Sequence, residues 1–308
     1  MQLVWAQSDA QVYLDRMSHS FRELDYRGVF TYEFGSRMEA LRIVHAVRDG
    51  VEQERLTHLN GETTEYYRDG HKLSCVHPGH QMLRLEGGAG GPFARSLMAE
   101  HRATDFYQFS VGEMTRVANR PAREIVVLPN DPYRYGFRLY LDEESGLLLK
   151  SVTLGARSEI LERFQFVQIE IGVPIDDEEL MLIASSPGLA RHHVLQVAAV
   201  EEGAGRNEIP RPGWLPPGFT RSAQGEGSRD PAASVAMYTD GFATFTLILE
   251  AVEAAQVLAT DGRARKGATV AYTRHLAAEG QDYVLTVVGE IPLMTARKVA
   301  RSVALDGA

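Results

Sequence analysis

Apolar and polar residues alternate along three consecutive segments between positions 133 and 166. The first segment places its apolar residues two positions apart, at Tyr135, Phe137, Leu139 and Leu141. A period of two is typical of a strand with one buried face. Residues 144–146 and 155–158 interrupt the pattern, and Gly146 accepts the positive φ that a tight turn demands. The sequence therefore predicts three antiparallel strands, with Arg134 among the polar, outward-facing positions of the first.

A related pattern extends upstream from residue 128 to residue 26. Asp49-Gly50, Asn60-Gly61 and Asp69-Gly70 are dipeptides that favour tight hairpins. They recur about every ten residues, which is the step of an antiparallel meander. Residues 26–170 therefore predict one large antiparallel sheet of about ten strands.

Two helices are expected to pack against this sheet. Residues 8–24 carry a stripe of apolar side chains at helical spacing, formed by Tyr13, Met17, Phe21 and Leu24. Pro92 can begin a second, short helix near Phe93. Because open sheets of this size curl, the expected N-terminal fold is an unclosed β-barrel with helices packed against its concave side.

The strand pattern is lost between residues 185 and 212, a stretch that contains Gly203, Gly205, Pro210 and Pro212. We interpret it as a domain boundary. The segment 176–179 before it is expected to start a solvated helix. Beyond it, hairpin signals such as the Asp240-Gly241 turn, a helix over 252–259 and a final helix from Pro292 indicate a smaller domain. The predicted organisation is α+β, with a large domain over 8–185, a linker over 186–212 and a small α+β domain over 213–308.

Composition narrows the classes of function. The chain has 308 residues and a net charge of −9, which disfavours a nucleic-acid partner, because phosphate binding needs a concentrated basic surface. No apolar run reaches roughly 18 residues, so no membrane-spanning helix is expected. Val4-Trp5-Ala6 resembles the residues before a signal-peptidase cleavage site. We expect either that an export signal has been trimmed or that this is an ordinary flexible N-terminus.

Candidate chemistry is sparse. Cys75, His77 and His80 are zinc-ligand residue types, but a structural site would need a second pair of ligands and the chain has no other cysteine, so a polar turn explains them better. The glycine-rich segment 87–91 lacks the pattern of a dinucleotide loop and is expected to be a flexible loop. No nucleophile–base motif is recognisable. We expect no metal, no cofactor and no catalysis.

Six segments in order, spread over both predicted domains, carry a family resemblance. They are YRGVFTYE from Tyr26, YGF with LD and GLLLKS between Tyr135 and Ser151, LERFQF from Leu161, WLPPGF from Trp214, YTDGFATF from Tyr238 and VVGEIP from Val287. In this order they closely resemble the RseB/MucB family of periplasmic regulators of an envelope-stress sigma factor. The resemblance extends from about Ala10 to Val303.

The resemblance implies a periplasmic protein without enzymatic activity. It implies an N-terminal domain like the unclosed barrel of the lipoprotein carrier LolA. It further implies binding to the periplasmic region of a membrane-spanning anti-sigma factor of the RseA/MucA type, protection of that partner from site-1 proteolysis, and release by lipid or lipopolysaccharide. Homodimer formation is left open.

Physical reasoning supplies the candidate site residues. The apolar face of the large sheet is expected to line a lipid cavity, and the alternative is that the same residues form a plain core. The predicted cavity residues are Phe30, Tyr32, Phe34, Leu41, Ile43, Phe137, Leu139, Phe164 and Phe166. Trp214 and Phe219 flank Pro216-Pro217 and either anchor the partner or frame a rigid turn.

Two other functions remain open at this stage. A lipid or lipoprotein carrier without a regulatory partner would need the N-terminal domain but not residues 213–308. An esterase acting on the bound lipid is the third candidate, and it lacks a recognisable nucleophile and base.

Overall fold

The computed structural model describes residues 2–61, 64–70, 72–78, 105–181, 189–194, 211–222, 233–252, 261–278 and 280–305. For residues 2–8, 72–78 and 189–194 only the backbone is described. The glycine-rich segment 87–91, the helix predicted from Pro92 and nearly all of the helix predicted over 252–259 lie outside these residues. None of the described helices has the length and apolar character needed to cross a membrane.

The first sheet has eleven antiparallel strands within the described residues. They are Tyr26–Phe34 (β1), Arg37–Arg48 (β2), Val51–His58 (β3), Glu65–Asp69 (β4), Lys72–Pro78 (β5), Tyr107–Val117 (β6), Arg120–Pro129 (β7), Gly136–Asp142 (β8), Leu148–Leu154 (β9), Ile160–Ile171 (β10) and Leu189–Val194 (β11). Their order is β11-β5-β4-β3-β2-β1-β10-β9-β8-β7-β6. The predicted large, unclosed antiparallel sheet is confirmed, and two meanders meet at the β1–β10 pair.

The hairpin dipeptides lie where the pattern predicts them. Asp49 and Gly50 connect β2 to β3 with φ values of 53° and 75°. Two consecutive residues at positive φ match the right-handed twist of the flanking strands. Gly61 and Gly70 occupy the next two turns, also at positive φ. Local turn chemistry therefore sets the register of the first meander.

The sheet curls until distant strands meet. Val117 and Ala122, from β6 and β7, pack in one apolar cluster with Phe30, Leu41 and Phe166 from β1, β2 and β10. Since β6 lies four strands beyond β10 in the sheet order, this contact requires strong curvature. The predicted half-barrel is therefore present, and its concave side holds the core.

A long helix, Gln2–Glu23 (α1), packs on the β6–β8 part of the sheet. Ala10, Leu14 and Met17 are buried and contact the cluster that includes Ile125 and Leu139. Positions 10, 14 and 17 share one helical face. Of the predicted stripe only Met17 lies on it, whereas Tyr13 and Phe21 are half-buried at its margin and pack against the same cluster. The helix begins before the predicted start at Ser8.

Strand β11 is a difference from the sequence interpretation. It lies inside the predicted linker and pairs with β5, from Leu189 opposite Pro78 to Val194 opposite Leu73. The prediction that this stretch lacks strands was wrong, because its pairing partner is more than a hundred residues away and leaves no local signal. The short helix Asp177–Leu180 (α2), in contrast, begins where the acidic run predicts it.

A second sheet of six antiparallel strands forms the smaller domain. They are Thr220–Arg221 (β12), Ala233–Thr239 (β13), Thr244–Val252 (β14), Gly262–Lys266 (β15), Thr269–Ala278 (β16) and Gln281–Gly289 (β17), in the order β12-β13-β14-β17-β16-β15. The last helix, Leu293–Ser302 (α3), packs Ala296, Val299 and Ala300 on this sheet. The predicted small α+β domain is confirmed, with β12 and β15 as additional strands.

Candidate functional site

Three phenylalanine rings form the centre of the predicted lipid-binding face. Phe30 on β1 lies opposite Phe166 on β10, with ring centroids 5.7 Å apart. The ring of Phe164 lies 4.8 Å from that of Phe30 and 5.2 Å from that of Phe166. Leu41 and Ile43 on β2 complete the cluster. Ring pairs at these distances stabilise a core beyond the burial of their area.

Side chains from β6 and β7 pack against this face as well as those from β1, β2 and β10. Four of the predicted cavity residues in this cluster are buried, namely Phe30, Leu41, Ile43 and Phe166. Tyr32 and Phe164 are half-buried and pack against them. The described residues thus form a packed apolar interior, and its use as a lipid site stays a prediction.

The remaining predicted cavity residues lie elsewhere. Phe137 and Leu139 are buried in a second cluster beneath α1, beside Met17. Phe34, at the end of β1, lies under the Lys266 ammonium group of the small domain, 4.7 Å from its ring centroid. The structure therefore divides the predicted set into two clusters and one residue at the domain junction.

A fully buried ion pair joins the two domains. Arg134, just before β8, places its guanidinium Nη1 2.6 Å from the Asp240 carboxylate in the β13–β14 turn, and neither side chain is exposed to solvent. A second guanidinium nitrogen, Nη2, donates to the backbone carbonyl of Pro217 at 2.6 Å. The rings of Phe106 and Phe219 lie 4.9 Å and 5.3 Å from the guanidinium carbon. Arg134 thus connects one domain to two segments of the other.

The Asp240 carboxylate has further donors. Tyr107 donates its hydroxyl proton across the junction at 3.1 Å, and the backbone N–H groups of Phe242 and Ala243 donate at 2.9 Å and 2.7 Å. The Phe242 ring then enters the N-terminal core, where its centroid lies 5.1 Å from that of Tyr107. A buried charge with this many donors is well compensated.

The sequence interpretation of Arg134 was wrong. Strand alternation placed it on an outward, polar face, whereas the structure buries it completely. The Asp240-Gly241 turn was recognised, but not its role as the partner. A lone arginine between Tyr133 and Tyr135 was the available signal, because an aromatic setting favours a guanidinium.

A second contact across the junction is acidic. Glu162 on β10 is buried, and Oε2 accepts hydrogen bonds from the Tyr32 hydroxyl at 2.5 Å and the Ala268 N–H at 3.1 Å. Burial raises the pKa of Glu162. Burial, followed by repulsion from Glu162, raises the pKa of Glu290 in the small domain. Two carboxyl groups from the two domains therefore interact electrostatically at the junction, Glu162 from a buried position and Glu290 from a half-buried one.

Two further hydrogen bonds fix the start of α3 to the large domain. The Tyr135 hydroxyl donates to the Ile291 carbonyl at 3.0 Å, and the Thr295 hydroxyl donates to the Tyr133 carbonyl at 2.9 Å. Burial raises the pKa of Tyr135 to about 12, so this phenol remains a donor at neutral pH. The junction therefore fixes the relative position of the domains at several points.

The two predicted partner residues differ in their surroundings. Phe219 is buried in the core of the small domain, with its ring centroid 5.2 Å from that of Phe245. Trp214 is half-buried, and the Lys298 ammonium group lies 3.9 Å from its ring centroid. Of the two residues, only Trp214 lines a surface groove. The anchoring role stays a prediction for Trp214 and is least compatible with the position of Phe219.

That groove, of 1020 Å³, lies between α3, β15 and the segment before β12. We call it the basic groove; its lining residues are Trp214, Asp261, Arg263, Tyr272, Leu293, Met294, Arg297, Lys298, Arg301 and Ser302. Four cationic side chains and one carboxylate line it, although the whole chain carries a net charge of −9. The sequence interpretation missed this groove because its walls come from separate segments of the chain, with Arg263 on β15 and the other three cations on α3.

Metal ligands do not cluster in the part of the chain that the structure describes. The polar turn predicted over 77–80 was wrong for His77 and Pro78, whose backbone belongs to strand β5 and pairs with β11. The side chains of Cys75 and His77, and residues 79–80, lie outside the described part of the chain.

Two family models match the chain. Residues 9–182 match the MucB/RseB N-terminal domain, and residues 210–304 match the MucB/RseB C-terminal domain. The chain is 33% identical to the sigma factor AlgU regulatory protein MucB of Pseudomonas aeruginosa, over 98% of this chain and 92% of that protein. It is 28% identical to the sigma-E factor regulatory protein RseB of Escherichia coli K12, over 96% and 90%.

Solved structures agree with the sequence comparison. The chain is similar to MucB in a crystal structure of its complex with MucA(peri), with a TM-score of 0.74 and 30% identity. The likeness covers 97% of this chain and 100% of that one. The matched segments include the β1–β10 core, the Arg134–Asp240 junction and the small domain. The chain therefore belongs to the MucB/RseB family.

Proposed function

We propose that this protein is a periplasmic regulator that binds the periplasmic region of a membrane-spanning anti-sigma factor and protects it from site-1 proteolysis. The observation that carries the proposal is the family match over both domains, together with the likeness to MucB in its complex with MucA(peri). The relatives are named as regulatory proteins, and the proposed function involves no catalysis.

The proposal assigns a lipid-sensing role to residues 8–185. An acyl chain would enter the apolar interior around Phe30, Phe164 and Phe166 by displacing the half-buried Phe164. Burial contributes about 0.8 kcal/mol per methylene, so ten methylenes would contribute about 8 kcal/mol before entropic costs. That is sufficient to offset the repacking of a few side chains and to bias the domain arrangement.

The proposal assigns anti-sigma-factor binding to residues 213–308, with 186–212 as the connection. A signal then passes through the contacts at Arg134, Asp240 and Phe242, because Arg134 of the large domain pairs with Asp240 of the small domain and Phe242 of the small domain packs into the half-barrel core. Lipid and partner act allosterically only if each weakens the binding of the other by the same factor.

A lipid or lipoprotein carrier is the alternative. The packed apolar interior is compatible with it, but the junction favours the regulator. A carrier has no need of a second domain whose Phe242 ring inserts into the core of the first.

Protection from proteolysis tests the proposal. The periplasmic region of the anti-sigma factor from the same genome is incubated with site-1 protease, with and without the full chain. We expect cleavage to slow as the chain saturates its partner. Unchanged cleavage at saturating chain, together with retained lipid, would favour the carrier.

A further inference from the structure

The basic groove has two arginine side chains without an anionic partner among the described residues. Arg263 on β15 and Arg297 on α3 are exposed, and both line the groove. The other two cations are engaged. Arg301 pairs with Asp261 at 3.5 Å, and Lys298 lies over the rings of Trp214 and Tyr133.

The groove has one anionic side chain, Asp261, and it is already paired with a cation. Asp261 accepts a hydrogen bond from the Tyr272 hydroxyl in addition to its pairing with Arg301. One carboxylate offsets one of the four cations, so the groove lining keeps three net positive charges (four minus one). Two exposed guanidinium groups that face one groove repel one another, and an anion between them would remove this repulsion.

The basic groove is also lined by apolar side chains. Met294 is 53% exposed on α3, and Leu293 and Trp214 are half-buried beside it. Long side chains with apolar bodies and charged ends suit a ligand that carries both carboxylates and an apolar anchor.

One wall of the groove is the last strand of a sheet. β15 pairs with β16 on one side, and no strand of the described residues pairs with its other side. Its backbone can therefore accept an extended segment by strand addition, which is a common mode of peptide recognition. A single phosphate group would use the cations but not this edge.

We propose that the basic groove binds an acidic peptide segment that contains one apolar anchor, and that Arg263 and Arg297 read its carboxylates. This inference rests on the proposed function, because it takes the segment to belong to the periplasmic region of the anti-sigma factor. It adds the location of the site and the chemistry of the segment.

The test measures binding of the full chain to that periplasmic region and to overlapping synthetic peptides that span it. The variant Arg263→Glu/Arg297→Glu is compared with Arg42→Glu/Arg116→Glu. All four arginines are exposed, so folding is expected to be retained and is checked by thermal unfolding. Both variants change the net charge equally, so any difference between them reports the groove and not general repulsion.

We expect the groove variant to bind at least tenfold more weakly and the control to bind within about twofold of the wild type. Wild-type affinity should fall as salt rises, and that of the groove variant should fall less. A peptide whose Asp and Glu residues are replaced by Lys should prefer the groove variant to the wild type. The variant Arg263→Gln/Arg297→Gln should weaken binding without creating this new preference.

Three results would overturn the inference. Equal affinities of groove and control variants would remove the groove from partner binding while leaving the proposed function intact. If the groove variant still bound the peptides but was no longer retained on phosphatidylglycerol vesicles, the groove would be assigned to lipid phosphates. Absence of any binding by the wild type would contradict the proposed function itself, and this inference with it.

Discussion

Arg134 and Asp240 are 106 positions apart in sequence, yet guanidinium Nη1 and carboxylate lie 2.6 Å apart with no solvent exposure. One residue belongs to the half-barrel and the other to the small domain. This pair is costly to separate, because the Asp240 carboxylate would be left buried without its cation, whereas Arg134 would keep Asp131 of its own domain at 3.1 Å. Any rearrangement of the domains must therefore re-solvate this pair or preserve it.

Removal of the arginine should destabilise the whole chain. We expect Arg134→Met to lower the free energy of unfolding by about 3–5 kcal/mol, because it leaves the Asp240 carboxylate buried without its cation. Urea unfolding measures the change. Arg138→Met is the control, since Arg138 is 54% exposed and lies 3.9 Å from Glu124, and it should cost less than about 1 kcal/mol.

The double variant Arg134→Met/Asp240→Asn separates charge from packing. It removes the uncompensated charge but keeps an oxygen for the N–H groups of Phe242 and Ala243. It should be more stable than Arg134→Met alone. If the stability of Arg134→Met alone stayed within about 1 kcal/mol of the wild type, the ion pair would not be a structural element of the junction.

The acidic contact predicts a dependence on pH. Burial raises the folded-state pKa of Glu162 and Glu290, so folding favours their protonated forms. The stability they contribute is present below about pH 4.3, the pKa of an unfolded-chain glutamate, and is lost as pH rises through the raised folded values. Glu290→Gln should remove part of this loss, which thermal unfolding across pH 4–8 measures.

Comparison with the wild type is needed because other groups titrate in the same range. Burial lowers the pKa of His45, which opposes the trend at acid pH, and Lys266 lies close to Glu162. Glu250→Gln, at an exposed position, serves as the control and should keep the wild-type pH dependence. Parallel pH profiles of wild type and Glu290→Gln would place the titration elsewhere.

Gly289 is required by a close backbone contact. A Cβ atom there would lie 2.3 Å from the Thr244 carbonyl oxygen and 2.5 Å from the Phe245 Cα. We expect Gly289→Ala to cost roughly 1–3 kcal/mol in thermal or urea unfolding, because backbone must move to admit it. Gly262→Ala is the control, since its nearest atom is the Thr273 Cβ at 3.5 Å. Equal effects of the two substitutions would contradict this account.

Truncation of Phe30 tests the half-barrel interior. Phe30→Ala should cost about 3–5 kcal/mol, because it removes the ring between Phe164 and Phe166. The space it leaves should admit an acyl chain, so a saturating lysophospholipid should raise the thermal midpoint of this variant more than that of the wild type. Leu247→Ala, in the buried core of the small domain, should show only the wild-type shift. Identical shifts in all three proteins would place the lipid outside the half-barrel.

Local chemistry explains what could be predicted from the sequence. The Asp49-Gly50 turn, the alternation from Tyr135 to Leu141 and the helix from Pro292 each depend on residues adjacent in the chain. Such features follow from φ preferences and side-chain period. Together with six ordered segments, they were sufficient for the fold class and the family.

The missed features depend on distant residues. The burial of Arg134 is decided by Asp240, and β11 is decided by β5, so neither has a signature in its own segment. The basic groove combines β15 with α3 and Trp214 in the same way. For the predicted lipid face, alternation in the sequence predicts that Phe30 and Phe166 are buried. It does not predict whether a ligand is buried with them.

Calorimetric titration of the full chain with the periplasmic region of the anti-sigma factor, repeated with a saturating acylated lipid, tests the central claim most directly. The account predicts binding that weakens at least tenfold in lipid, which corresponds to about 1.4 kcal/mol of coupling across the domain junction. Binding of equal affinity in both conditions would contradict lipid release, and absence of binding in both would contradict the regulator.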